Sequence, residues 1–253
     1  VRRPPQDGPL RVSRDPSTSL PWLAPFIQAG LAARVDHTCL RPEATDADIG
    51  ALCRQALDHG FGTVCVNGQW VSTASCRLHG SPVRVAAVVG FPLGASGPAA
   101  KVAETRLAVT DGAGEIDVVA ALGWIRSRRW DLVRDEIAGV VEAAAGRLVK
   151  VILETAALSP EEIQRSCEAV LAGGAGMLKT STGFHPAGGA TPEAVRLLRR
   201  SVADRAGVKA SGGIRTMAAA VELLRSGADR IGTSSAVEWG LAVGSPALGE
   251  LLR

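Results

Sequence analysis

Gly173-Gly174-Ala175-Gly176 runs directly into Met177-Leu178-Lys179-Thr180, and the same device recurs along the chain. His59-Gly60-Phe61-Gly62 precedes Thr63-Val64-Cys65-Val66. Asp111-Gly112-Ala113-Gly114 precedes Glu115-Ile116-Asp117-Val118-Val119, and Ser226-Gly227-Ala228-Asp229 precedes Arg230-Ile231-Gly232-Thr233. Each unit pairs a helix-ending glycine, suited to the left-handed C-cap conformation, with a short turn and a β-rich run. Helical stripes lie in front of these turns. Over 46–58, Ile49, Leu52, Cys53, Ala56 and Leu57 follow the 3.6-residue period, and 98–109 and 130–145 obey the same rule. Ser159-Pro160-Glu161-Glu162 and Thr191-Pro192-Glu193 each supply an N-cap with proline at the first helical position. Further apolar runs at 83–89 and 148–153, with 32–35 and 207–210 added at the ends, bring the strand count to eight. Such runs indicate parallel strands buried on both faces beneath helices. Eight alternating units predict a single (β/α)8 TIM barrel of the α/β class over 20–253, behind an extra N-terminal segment. A doubly wound open sheet is the competing arrangement, but no G-x-G-x-x-G follows the first run.

Composition narrows the function. The 253 residues are 46% hydrophobic and 21% charged, the balance of a globular chain that can bury a large core. Aromatics amount to 4% with no tyrosine, and the net charge is +3. Nucleic-acid binding by base stacking or by a basic stripe therefore finds no support, whereas a small anionic ligand does. No apolar run reaches the ~18 residues of a membrane span. Residues 1–19 are rich in proline and arginine, and no apolar region follows Arg2-Arg3, so they read as a flexible tail rather than a signal. Cys39, Cys53, Cys65, Cys76 and Cys167 form no C-x-x-C pair, which reads as free thiols in a reducing cytoplasm. No cluster has metal-ligand spacing, and no metal or cofactor is expected. His37 and His185 lie near the site face without a ligand partner; His59 and His79 read as surface helix residues. Of 28 basic residues only Lys101, Lys150, Lys179 and Lys209 are lysine. A lysine can become a neutral nucleophile, which an arginine cannot.

In a barrel the site forms at the C-terminal strand ends, and the polar residues gather there. Asp36-His37-Thr38, Cys65, Asp117, Glu154-Thr155, Lys179 to Gly183, Lys209 to Gly213 and Gly232 to Ser235 end successive runs. Lys179 and Lys209 come from consecutive strands, about 4.8 Å apart if parallel. Two adjacent ammonium groups in an apolar interior are expected to lower each other's pKa, which frees an amine for Schiff-base chemistry. Asp117 is costly among β-branched neighbours unless partnered; it suits either an ion pair with a lysine or proton transfer beside an imine. Gly212-Gly213 and Gly232 to Ser235 end the last two runs, where barrels often bind phosphate through backbone amides and hydroxyls. Asp36, Thr182, Gly183 and Ser211 complete the candidate substrate and phosphate set. Cys65 and Lys150 are candidate pocket-lining residues, Lys150 with no assigned part.

Several ordered segments resemble the deoxyribose-phosphate aldolase family from about 35 to 237. They are Val35-Asp36-His37-Thr38, Val88 to Gly94, Glu115-Ile116-Asp117, Lys150 to Thr155, Lys179 to Phe184, Lys209 to Thr216 and Gly232 to Ser235. The resemblance implies a class I aldolase on a (β/α)8 barrel, metal-free, splitting 2-deoxyribose 5-phosphate reversibly into acetaldehyde and glyceraldehyde 3-phosphate. It assigns the Schiff base to Lys179, pKa depression of that nucleophile to Lys209 and acid–base catalysis to Asp117. It assigns the phosphate to Gly183, Gly212, Gly213, Ser234 and Ser235. Some members carry lysine after the Thr-Gly of the nucleophile segment, where this chain has Phe184, so backbone amides, hydroxyls and Arg215 must hold the phosphate instead. The C-terminal tyrosine of some members has no counterpart here. A homodimer is the expected assembly. A non-catalytic sugar-phosphate-binding barrel, or a Schiff-base aldolase with a ketone donor, shares parts of the same pattern.

Overall fold

The structure, a computed structural model, describes residues 30–239. The expected tail and both ends of the expected barrel domain (20–29 and 240–253) lie outside the described residues. Eight strands form a closed, wholly parallel barrel in chain order: β1 (Val35–Cys39), β2 (Thr63–Val66), β3 (Arg84–Val89), β4 (Glu115–Val119), β5 (Leu148–Ile152), β6 (Met177–Lys179), β7 (Gly207–Ser211) and β8 (Arg230–Thr233). Closure pairs Asp36 of β1 with Gly232 of β8. The helices are α1 (Asp46–His59), α2 (Val71–Arg77), α3 (Pro98–Thr110), α4 (Leu122–Arg126), α5 (Trp130–Ala143), α6 (Pro160–Ala172), α7 (Pro192–Val202) and α8 (Met217–Arg225). None among the described residues is long and apolar enough to cross a membrane.

The local signals act as read. Thr45 opens α1 with a reciprocal capping box to Asp48, and Ser159 does the same to Glu162 at α6. Gly60 ends α1 at φ +69°, a conformation that costs glycine little. The first strand is displaced, however. Residues 31–34 form a short 3-10 helix, and β1 instead contains Asp36, His37 and Thr38. Those polar residues looked like a strand's end. They belong to the strand itself because Asp36 points into the lumen, where cations meet it.

The barrel wall divides the core into two clusters. Outward residues such as Val64, Val85, Ile116, Val151, Leu178, Val208 and Ile231 pack beneath the helices in one large apolar cluster. Inside the barrel a smaller cluster holds Cys65, Ala86, Val88 and Leu40. The remaining lumen is charged: Asp36, Glu115, Asp117, Lys150, Lys209 and Arg230 are buried there. The expectation of strands apolar on both faces, and of an apolar interior, is thus overturned. Glu115-Ile116-Asp117-Val118 and Val208-Lys209-Ala210 alternate charge inward and hydrocarbon outward, the two-residue period of a strand.

Gly232 shows how tightly this interior is fitted. A Cβ there would lie 2.9 Å from Lys209 Cε and 3.0 Å from Ser211 Cβ. Lys209 is pinned by two carboxylates, so it has little room to yield. Gly232→Ala is expected to lower stability by about 1–3 kcal/mol in urea unfolding; a variant as stable as the parent would show that this interior relaxes freely.

Candidate active site

Asp117 organises the lumen. Its Oδ1 accepts from Lys150 Nζ at 2.7 Å. Its Oδ2 accepts from both Lys209 Nζ at 2.7 Å and Lys179 Nζ at 2.9 Å. Asp36 likewise binds Lys150 Nζ at 3.2 Å, Arg230 Nε at 2.8 Å and Lys209 Nζ. Glu115 pairs with Lys150 at 2.6 Å and with Arg230 Nη1 at 3.0 Å. Four cations thus surround three carboxylates. Lys150 holds three ion pairs, Lys209 two and Lys179 one.

Burial alone would raise the carboxyl pKa values, but the cations win. Lys150, Lys179 and Lys209 hold Asp117 well below the usual carboxylate range. Arg230, Lys150 and Lys209 do the same for Asp36, and Lys150 and Arg230 for Glu115. The lysine expectation is corrected at Lys209. Burial pulls its pKa down, yet Asp117 and Asp36 raise it above the ordinary value despite neighbouring Lys150. Lys150 is raised in the same way, by Asp117, Asp36 and Glu115 against burial. Neighbouring ammonium groups still depress one another here, but at Lys209 two carboxylates in contact outweigh that repulsion.

Above this network a cavity of about 570 Å³ opens at the C-terminal ends of β1, β6, β7 and β8. Lys179 is the lysine on its surface among the described residues. Thr182, Gly183, Ser211, Gly212, Gly213, Gly232, Ser234 and Ser235 all line it, as does Arg215. Asp36, Asp117, Lys209, Lys150 and Cys65 do not line it. For Asp36, Lys150 and Cys65 this departs from the sequence reading. The first two turn into the lumen to neutralise opposite charges, and Cys65, at 0% exposure, packs beside Ala86 and Val88. His37 does line the cavity, with Nε2 2.8 Å from Gln55 Oε1.

The loops over the cavity are braced by their own side chains. Gly183, Gly212 and Gly213 have φ of +85°, +87° and +76°. Ser211 Oγ donates to Ser181 O at 2.6 Å, and Thr233 Oγ1 donates to Ile214 O at 2.6 Å. Buried Glu154 accepts from Thr182 Oγ1 at 2.5 Å and from Thr182 N at 3.2 Å. Glu154 adopts φ +57°, uncommon for a residue with a Cβ. Phe184, after Gly183, is 52% exposed and meets Phe91 edge-on at 5.2 Å between centroids. Sequence reasoning missed Glu115 and Arg230 as network members, Glu154 as a loop brace, and Arg41 and Asp48 as cavity residues. Period-two spacing from Asp117 back to Glu115 and from Gly232 back to Arg230 was the signal for the first two.

The family model for the DeoC/LacD family aldolases matches residues 31–245. The chain belongs to the DeoC/LacD aldolase family. Deoxyribose-phosphate aldolase 1 of Cutibacterium acnes is 51% identical over 207 residues, which is 82% of this chain and 95% of that protein. A putative deoxyribose-phosphate aldolase from Coccidioides immitis superposes with a TM-score of 0.80 at 39% identity, covering 84% of this chain and 86% of that one. A tetrameric deoxyribose phosphate aldolase from Aeropyrum pernix gives 0.77 at 36%, with 85% and 90% covered. In this DeoC/LacD family chain the buried network and the cavity meet at one side chain, Lys179, which is 2% exposed.

The network makes stability depend on pH at both extremes. Asp36, Glu115 and Asp117 are depressed from ordinary values of 3.8 and 4.5, so the stability they carry is present above those values. It is lost as pH falls through the lower folded values. Lys150 and Lys209 are raised from 10.5, so their share is present below that value and is lost as pH rises through the folded values. Removing one buried partner strands the others. Lys150→Met is therefore expected to cost about 3–5 kcal/mol at neutral pH by urea unfolding. A cost below about 1 kcal/mol, the scale of an exposed pair, would contradict the buried network.

Proposed function

We propose that the protein is a Schiff-base aldolase that cleaves 2-deoxy-D-ribose 5-phosphate reversibly to acetaldehyde and D-glyceraldehyde 3-phosphate, a step of deoxyribonucleotide catabolism. The observation that carries this is the place of Lys179. Its amine faces a cavity of sugar-phosphate size, while its one ion pair ties it to Asp117 in the network below. A neutral amine at Lys179 forfeits that single pair; at Lys150 it would forfeit three. Relatives about half identical over most of the chain are named deoxyribose-phosphate aldolases.

The chemistry follows. Neutral Lys179 adds to the C1 aldehyde, and loss of water leaves a protonated imine. The imine carries the same charge as the ammonium it replaces, so its pairing with Asp117 persists. An imine at C1 accepts electrons from the bond beyond its α-carbon, so C2–C3 breaks and C3–C4 does not. The C3 hydroxyl gives up its proton as C3 becomes the aldehyde of glyceraldehyde 3-phosphate. Protonation of the enamine at C2 and hydrolysis of the imine then release acetaldehyde. In synthesis the enamine attacks the triose-phosphate aldehyde. Asp117, with Lys209 and an ordered water, moves these protons. Three lysines depress Asp117. When Lys179 is neutral one of those charges is gone, and the carboxylate becomes a better proton acceptor as a proton must move.

The phosphate falls to the amides and hydroxyls of Gly183, Gly212, Gly213, Ser234 and Ser235, with Thr182, Ser211 and Gly232 shaping the loops. All five cysteines are free, which suits a reducing cytoplasm, and self-association of the chain belongs to the same reading.

Borohydride reduction with acetaldehyde, followed by peptide mass spectrometry, tests the covalent step. A two-carbon adduct is expected on the peptide carrying Lys179, and Lys179→Ala is expected to keep its fold while losing adduct and turnover. Turnover retained by Lys179→Ala would falsify the Schiff-base assignment. Lys209→Leu is expected to move the onset of activity to higher pH and to cut the rate by roughly a hundredfold or more; an unmoved pH–rate profile rejects electrostatic coupling between the two lysines.

A further inference from the structure

The cavity has two unlike walls. One is the glycine and serine backbone ending β6, β7 and β8. The other, next to it because β1 pairs with β8, is the segment after β1, with Arg41, Asp48 and Gln55. The side chain after Gly183 is the exposed ring of Phe184, held against Phe91, and brings no charge to the phosphate wall. On that wall a phosphate dianion would meet one guanidinium, Arg215 on the loop after β7, and Arg41 is the other guanidinium on the cavity surface among the described residues.

We propose that Arg41 takes the substrate's phosphate, exchanging a carboxylate partner for the dianion. The proposal rests on the aldolase reading for the identity of the substrate and deepens its phosphate subsite. Arg41 Nη2 lies 3.2 Å from Asp48 Oδ1, Nη1 lies 3.6 Å from Glu43 Oε1, and the Arg41 side chain is 57% exposed. Exposed pairs of this kind hold weakly. Asp48 itself is fixed: its Oδ2 accepts from Thr45 N at 2.8 Å and Thr45 Oγ1 at 2.7 Å in the capping box of α1. The carboxylate thus parks the guanidinium at the cavity edge through one oxygen. A phosphate offers that guanidinium two parallel hydrogen bonds and a larger charge. Arg215, on the loop after β7, lines the same cavity. The two would flank the anion while the backbone amides hold its oxygens.

Calorimetric titration with inorganic phosphate tests this without relying on catalysis. Arg41→Gln is expected to weaken phosphate binding roughly tenfold. Asp48→Asn, which frees Arg41, is expected to tighten it. The double variant Arg41→Gln/Asp48→Asn separates contact from mere neutralisation of Asp48. It should bind phosphate about tenfold more weakly than Asp48→Asn alone. Equal affinity of those two variants, unchanged affinity in Arg41→Gln, or no phosphate binding by the parent chain each overturns the assignment. In turnover, Arg41→Gln should lose about tenfold more in kcat/KM on 2-deoxyribose 5-phosphate than on 2-deoxyribose, with Arg41→Lys recovering part of the loss. Equal losses on both substrates would mark Arg41 as structural. Absence of an acetaldehyde adduct in the parent chain would defeat the aldolase reading instead, and the phosphate titrations would still decide the role of Arg41.

Discussion

Three carboxylates and four cations share the inside of one barrel, and Asp117 sits where three lysines converge. Charges in so dry a place are tolerable only when each meets an opposite charge at hydrogen-bonding distance. That demand constrains the surrounding architecture. It requires alternation in β4, β5, β7 and β8, so that hydrocarbon faces the helices and charge faces inward. It requires glycine at 232, where a methyl group would press on Lys209. On β2 and β3, beside the strands that carry Asp36 and Asp117, Cys65, Ala86 and Val88 are small and take part in none of the ion pairs.

A fixed network of this kind also grades its lysines. Lys150 is surrounded by Asp36, Glu115 and Asp117 and remains an ammonium. Lys209 is held charged by two carboxylates, and its charge acts at the base of the cavity rather than within it. Lys179 touches the network through one oxygen and the cavity through its amine. Chemistry belongs to the group with the fewest commitments below and an open face above. The buried pairs themselves are weak evidence for net stability, because desolvation opposes their attraction. Their consequence is geometric: they fix Asp117 and Lys209 beside the Lys179 amine, and fixed charges of this kind are what preorganisation means.

The loops above obey a different economy. Their hydrogen bonds run within the loops themselves: the Ser211 and Thr233 hydroxyls to the carbonyls of Ser181 and Ile214, and the Thr182 hydroxyl to the Glu154 carboxylate. Gly183, Gly212 and Gly213 line the cavity with left-handed backbone that these bonds hold in place. Phe184 packs on Phe91, and the guanidiniums that line the cavity among the described residues, Arg41 and Arg215, stand on separate loops. The rigid floor and the adaptable rim follow from how many partners each charged group has.

Much of this was legible in the linear chain. The eight units, the caps at Thr45, Ser159 and Thr191, and the place of Lys179 at the end of β6 are local patterns, whereas Asp117 and Lys209, read as strand-end residues, stand in the middle of β4 and β7 with their side chains in the lumen. The glycine pairs at the phosphate wall are local as well. A helix cap spans three residues and a strand repeats every two, so one window of sequence holds the whole signal. The start of β1 was misplaced because Asp36 looks like a loop residue until its partners are known. Those partners lie 114, 173 and 194 positions away, at Lys150, Lys209 and Arg230. Only closure of the barrel brings them together. It made the interior charged rather than apolar, raised Lys209 instead of lowering it, and brought Arg41 onto the cavity that Lys179 lines. Sequence determined the order of the strands and helices and which charged residues the strands carry; tertiary structure decided which charges meet, because a pKa depends on distance through space and not on separation along the chain.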